Sequence, residues 1–197
     1  MSAQLVLASA SPRRRDLLAQ IGVVPDAIEP ADLDETPRPG ELPRPYAERL
    51  AREKAEAVHS EGQFTLSGDT VVAMGRRILP KAACDADVED CLNRLSGRAH
   101  HVMSAICLIA PDGRTNMRLS DSRVVLKRLS AIEIAAYVRS HEGIGKAGGY
   151  GIQGRAGAFV KQIQGSYSGI VGLPLFDVAN LLHGLGYPTQ AKSSQKA

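Results

Sequence analysis

Three arginines, Arg13, Arg14 and Arg15, follow Ser11-Pro12 in the stretch Leu5 to Gly22, LVLASASPRRRDLLAQIG. Ser11 reads as an N-cap and Pro12 as the first helical residue, which puts the arginines in the opening turn. Unpaired backbone N–H groups and the positive end of the helix dipole already lie there. Cations are unfavourable in that place unless an anion sits among them, so the arginines either hold a polyphosphate or fan into water. Lys54 poses a related problem. In RPYAERLAREKAEAV it shares an apolar stripe with Leu50 and Val58, while Arg49 with Glu53 and Arg52 with Glu56 fall at i, i+4. Its ammonium either snorkels to an edge or meets something anionic inside. Asp69 interrupts the strand-like FTLSGDTVVAM, where a carboxylate must be paired, metal-bound or hydrogen-bonded to nearby backbone. Gly75-Arg76-Arg77 can turn the chain so that Lys81 returns beside the Asp69 strand; a solvated hairpin end is the alternative.

Two further stretches attract functional readings that the spacing does not support. GIGKAG and GYGIQG, between Gly143 and Gly154, both match G-x-G-x-x-G, but they follow a helix and lead toward a strand expected at Ala158 to Ile163. A dinucleotide fingerprint needs the reverse order. The segment instead reads as a loop whose backbone approaches something flat or bulky, with Gln153 as its hydrogen-bonding side chain. His100 and His101 have no other His, Cys or acid at ligand spacing, which argues against a metal role.

The elements that must position these residues can be read in order. Leu5 to Leu7 is a short strand, and Leu17, Leu18 and Ile21 give the first helix one apolar side, with Gly22 as its stop. A strand is expected around Asp26 to Glu29, then the acidic cluster Asp32 to Glu35 and a Pro-rich loop ending at a helix near Pro45. Asp85 is expected to cap a helix with Val88, Cys91, Leu92 and Leu95 on its apolar face. His101 to Ala110 and Thr115 to Leu126 form a hairpin, Ser130 and Glu133 a capping box, and Gly165 to Ser168 a turn. Pro174 opens a last helix that ends at Gly186. This mixture predicts an α/β fold on a mixed sheet flanked by helices. One domain is expected over residues 1–187, with 188–197 a disordered tail.

Composition narrows the function classes. The chain has 197 residues, a net charge of +3 and a pI near 8.8, with 4% aromatic residues and no Trp. Base-stacking platforms are scarce, so nucleic acid is not an expected partner. Cys84, Cys91 and Cys107 are odd in number and form no CxxC pair, which predicts free thiols and a cytoplasmic location. The opening apolar run is too short for a signal peptide, and no run reaches the ~20 residues of a membrane helix, so no membrane partner is expected.

LVLASASPRRRDLL, DLDE, RLAREKA, GDTVV, the Lys81 hairpin, LSGRAHHVMSA, KAGGYGIQG and GSYSGIVGLP together resemble the Maf family of nucleoside triphosphate pyrophosphatases from Leu5 to Tyr187. The resemblance implies an elongated α/β fold with a cleft between two lobes. It implies hydrolysis of dTTP and UTP, and of modified pyrimidine nucleotides, to the monophosphate and pyrophosphate with Mg2+ or Mn2+. Asp69 resembles the catalytic base; Ser9, Ser11, Arg13, Lys54 and Lys81 the phosphate-binding residues; Arg14, Thr70 and Gln153 the specificity residues; and Glu35 with Asp69 the metal ligands. Dimers are common in that family, which leaves a homodimer open. Two departures stand out: Ala82 where Pro is usual, and Gly68 where Ala is usual. The first leaves the local loop shape open. A non-catalytic nucleotide- or nucleic-acid-binding regulator of cell division, or the same reaction with another base preference, are the competing readings.

Overall fold

The computed structural model describes residues 3–188. Of the tail expected at 188–197, all but Pro188 lies outside those residues. β1 (Leu5–Ala8) is buried along its whole length and lies parallel to β2 (Ala27–Ile28) on one side and β3 (Phe64–Met74) on the other. An uninterrupted apolar run suits such an interior parallel strand. Beyond β3 the sheet is antiparallel through β5 (Ala99–Ile109), β6 (Thr115–Leu126) and β7 (Val160–Gln164). β4 (Arg77–Leu79) folds back onto the end of β3, completing seven strands.

Helices α1 (Pro12–Gln20) and α6 (Leu175–Gly184) pack with β1 around Leu7, Leu18, Leu66 and Leu182. A second apolar cluster joins α3 (Asp85–Leu95) and α4 (Ala131–Val138) to the glycine-dense segment through Val72, Leu92, Ile134 and Tyr150. The third lies beneath α2 (Pro43–Val58), whose Ala47, Ala51 and Ala55 meet Val71, Ala105 and Cys107. Small side chains let α2 lie close to the sheet, so a long side chain on the same helix reaches across β3.

Local differences from the sequence reading have local causes. The N-cap of α3 is Cys84 rather than Asp85, and the Asp87 carboxylate accepts from the Ala83 and Cys84 N–H groups at 2.8 and 3.3 Å. Arg49 pairs with Glu53 at 2.9 Å as expected, but Arg52 lies against the Met117 sulfur at 3.4 Å instead of pairing with Glu56. The strand expected from Ala158 opens as a 3-10 helix, Arg155–Phe159, before β7 begins. The turn expected at Gly165 to Ser168 runs on into a short helix, α5 (Tyr167–Val171). All three cysteines are free, and among the described residues no helix is long and apolar enough to cross a membrane.

Candidate active site

The end of β1, the N-terminus of α1, the middle of β3 and the segment 145–153 frame a cleft of about 390 Å3, lined by every site residue that the family resemblance implied but not by Arg15.

Four charged side chains form an alternating chain on one wall. The close approach of α2 to β3 brings Lys54 Nζ to 2.7 Å from Asp69 Oδ1 and 2.7 Å from Glu35 Oε1. Lys81 pairs with the second oxygen of Glu35. Lys54 and Asp69 are 7% and 3% exposed, so the lysine does not snorkel and the aspartate is held by a cation rather than by backbone alone. Burial would raise the pKa of Glu35, but the hydrogen bonds from Lys54 and Lys81 outweigh it and hold the carboxyl at about 2. Tyr46 donates to the Glu35 carbonyl at 2.7 Å, tying the Pro-rich loop to α2. Burial, reinforced by the charges of Asp69 and Glu35, pushes the Tyr46 hydroxyl up to about 12.

The three arginines separate. Arg15 is exposed beside Asp16, and Arg13 lines the cleft without an ion-pair or hydrogen-bond partner among the described residues. Arg14 is buried: Nε donates to the Gly172 carbonyl at 2.9 Å, and its terminal nitrogens donate to Ser9 Oγ at 2.8 Å and Thr70 Oγ1 at 3.4 Å. Thr70 in turn contacts Ser104 Oγ at 2.9 Å, and Ser104 donates to the Gly169 carbonyl at 2.6 Å. Burial pulls Arg14 below the ordinary guanidinium value, opposed by Asp69 and reinforced by Arg13. A Cβ at Gly68 would make only an ordinary contact with Arg14 Nε at 3.5 Å and would press instead on the Ala105 carbonyl of β5 at 3.2 Å.

Opposite lies the glycine-dense segment, stitched to the Lys81 strand end by a bridge between Lys81 and Ala147 and by three backbone bonds. Gly145 N–H donates to Ala82 at 2.8 Å, Gly148 N–H to Pro80 at 3.0 Å, and Ala82 N–H to Lys146 at 3.1 Å. Proline at position 82 would lack that last donor. Gly148 has φ +65°, and a Cβ there would lie 2.7 Å from Val72 Cγ1, so the backbone rests directly on β3. The sequence reading thus located this wall and Gln153 on it, but passed over Lys146 and Tyr150, which line the same cleft. Val72, Val102 and Ile170 add an apolar face; in sequence nothing separates them from ordinary core.

His100 is buried, with Nε2 2.6 Å from the Tyr150 hydroxyl and Nδ1 without a hydrogen-bond partner among the described residues. Burial, with the neighbouring His101, pulls it down to about 4. No cluster of three or more metal-binding side chains exists among the described residues. Glu35 and Asp69 do share the Lys54 ammonium, so two of their oxygens lie no further apart than twice 2.7 Å. Such a donor pair suits a hard divalent cation that takes its remaining ligands from water and phosphate oxygens.

A family model described as Maf-like protein matches residues 4–185. A dTTP/UTP pyrophosphatase of Rhodospirillum rubrum is 62% identical over 188 residues, covering 94% of this chain and 90% of that protein. Its counterpart in Caulobacter vibrioides is 60% identical over 185 residues, covering 93% and 96%. Among solved structures, a HAM1 protein from Coxiella burnetii superposes with a TM-score of 0.51 at 17% identity, covering 92% of this chain and 99% of that one, a likeness of fold alone.

Proposed function

The chain belongs to the Maf family, and on that premise we propose that it is a nucleoside triphosphate pyrophosphatase hydrolysing dTTP and UTP to the monophosphate and pyrophosphate. The observation that carries the reading is the alternating chain Lys81, Glu35, Lys54, Asp69 along one wall of a cleft that a helix N-terminus enters. The names of the relatives, at 62% and 60% identity, support the same substrates.

Arg13, Arg14, Lys54 and Lys81 face Glu35 and Asp69 in this cleft, a surplus of two positive charges without counting Lys146 on the glycine-dense wall. A triphosphate carrying one divalent cation is still anionic, so it fits that surplus, and the α1 N–H groups and Ser9 and Ser11 add uncharged donors. Asp69 is the proton acceptor. Its Oδ1 is engaged by Lys54, while Oδ2 has no hydrogen bond among the described residues and can take the proton of a water attacking the α-phosphorus. Negative charge then builds on the departing pyrophosphate, and Arg13 and Lys81 meet it with fixed positive charge. Glu35 and Asp69 would hold Mg2+ or Mn2+, with Lys54 and Lys81 turned to phosphate oxygens in the loaded cleft. That cation would supply Lewis-acid neutralisation of the phosphate oxygens.

The base lies toward Arg14, Thr70 and Gln153, against Val72, Val102 and Ile170. Gln153 both donates and accepts, matching the neighbouring carbonyl and N–H of uracil or thymine. A pyrophosphate-release screen across common and modified triphosphates, with each metal, tests the reading. Turnover of dTTP and UTP well above purine nucleotides is expected; equal turnover of both classes overturns the base assignment, and binding without turnover favours a non-catalytic regulator.

A further inference from the structure

Lys146 is half-buried in the cleft wall and has no carboxylate partner among the described residues. Its ammonium spends one donor on the Glu142 carbonyl, leaving two. The stem crosses the face of Gly151: a Cβ there would stand 2.9 Å from Lys146 Cε, 3.1 Å from its Cδ and 3.3 Å from Gln153 Nε2. Gly151 therefore allows two polar side chains to close side by side over one backbone position. Gln153 is exposed, lines the cleft and makes no hydrogen bond among the described residues. Glu142 fixes both neighbours. Its carboxylate accepts the Arg155 N–H at 3.0 and 3.1 Å, and a Cβ on Gly154 would fall 1.4 Å from the same carboxylate. The loop around Gln153 and the head of Lys146 are thus anchored to one residue.

We propose that Lys146 is a further specificity-determining residue, its ammonium donating to the O4 carbonyl of a uracil or thymine base beside the Gln153 amide; this rests on the pyrimidine triphosphate reading above. The chemistry is directional. With Gln153 Oε1 accepting the base N3–H and Nε2 donating to O4, the Lys146 side of the amide faces the second lone pair of that oxygen. Cytosine presents an amino group at the same place, and an ammonium beside it has no acceptor to bond. Burial and the charge of Arg13 pull Lys146 below the ordinary lysine range, against the opposing charge of Glu142.

The test is Lys146→Met, which keeps an unbranched stem, with kcat/KM measured for UTP and with CTP assayed as substrate or as competitor. Inhibition by inorganic tripolyphosphate, which has no base, is measured in parallel, and thermal unfolding confirms an intact fold. A charge-assisted bond predicts a loss of about 10- to 100-fold for UTP, with CTP and tripolyphosphate changed less than about threefold. Equal losses on UTP and CTP, weakened tripolyphosphate binding, or unchanged UTP turnover each overturn the inference. If the wild-type protein releases no pyrophosphate from UTP, the underlying functional reading fails instead.

Discussion

Replacing Lys54 by Met removes the cation between the buried Asp69 and the half-buried Glu35 while keeping an apolar stem of similar length. At 2.7 Å each contact is worth about 6 kcal/mol before solvation, taking an effective dielectric of 20. Desolvation cancels much of that, and removing one partner of a buried pair costs about 3–5 kcal/mol, chiefly because the other is left charged and alone. Asp69 is the one abandoned, since Glu35 keeps Lys81. At about 2–4 °C per kcal/mol for a chain of this size, the expected fall in Tm is about 10 °C at neutral pH. The loss should shrink on acidification. Without Lys54 the Glu35 carboxyl rises from about 2 and takes up a proton at milder pH than in the wild type, relieving the repulsion. Combining Lys54→Met with Asp69→Asn should recover about 2 kcal/mol or more relative to the sum of the single changes. Denaturant unfolding of the four proteins at pH 5 and pH 8 measures all of this. Additive single effects, or a Lys54→Met protein within about 0.5 kcal/mol of wild type, would refute the buried pair.

Three other expectations follow from particular contacts. Arg14→Lys cannot keep the simultaneous bonds to Gly172, Ser9 and Thr70, so discrimination between UTP and purine triphosphates should narrow about tenfold in competition assays, with tripolyphosphate inhibition changed less. Gly148→Ala places a Cβ against Val72 at φ +65° and should cost about 1–3 kcal/mol in unfolding while raising KM for UTP more than it lowers kcat. His100 has a folded pKa of about 4, below its unfolded value of 6.5, so the unfolded chain binds more protons between those values. Its contribution is present above pH 6.5 and about 3 kcal/mol of stability is lost as pH falls through 4; His100→Gln, which keeps a donor for Tyr150, should flatten that part of the pH–stability curve.

Charges in costly places were the legible part of the site. Lys54 on an apolar stripe and Asp69 inside an apolar strand each demand a partner, and the sequence shows the demand without showing who meets it. The pairing depends on α2 lying across β3 on a face of alanines and on the Pro-rich loop returning Glu35 to the same point, both tertiary outcomes. Lys146 went unnoticed for the opposite reason: a lysine in a glycine-rich loop costs nothing by local rules, and only the contact over Gly151 sets it beside Gln153. The i, i+4 rule held for Arg49 and failed for Arg52, where the partly buried Met117 on β6 offered a competing contact. Strand order was readable where alternation or turn chemistry marked hairpins. The parallel seating of β1 between β2 and β3 was not, because no local signal specifies a crossover.

The central claim is that water, activated at Asp69, attacks the α-phosphorus of a pyrimidine triphosphate in this cleft. Hydrolysis of UTP in 18O-water tests it most directly, with the label followed by mass spectrometry in the wild type and in Asp69→Asn. The account predicts one labelled oxygen in the monophosphate, none in the pyrophosphate, and a rate lowered by about three orders of magnitude or more in the folded variant. Label in the pyrophosphate, release of orthophosphate instead, or an Asp69→Asn protein as fast as the wild type would contradict it.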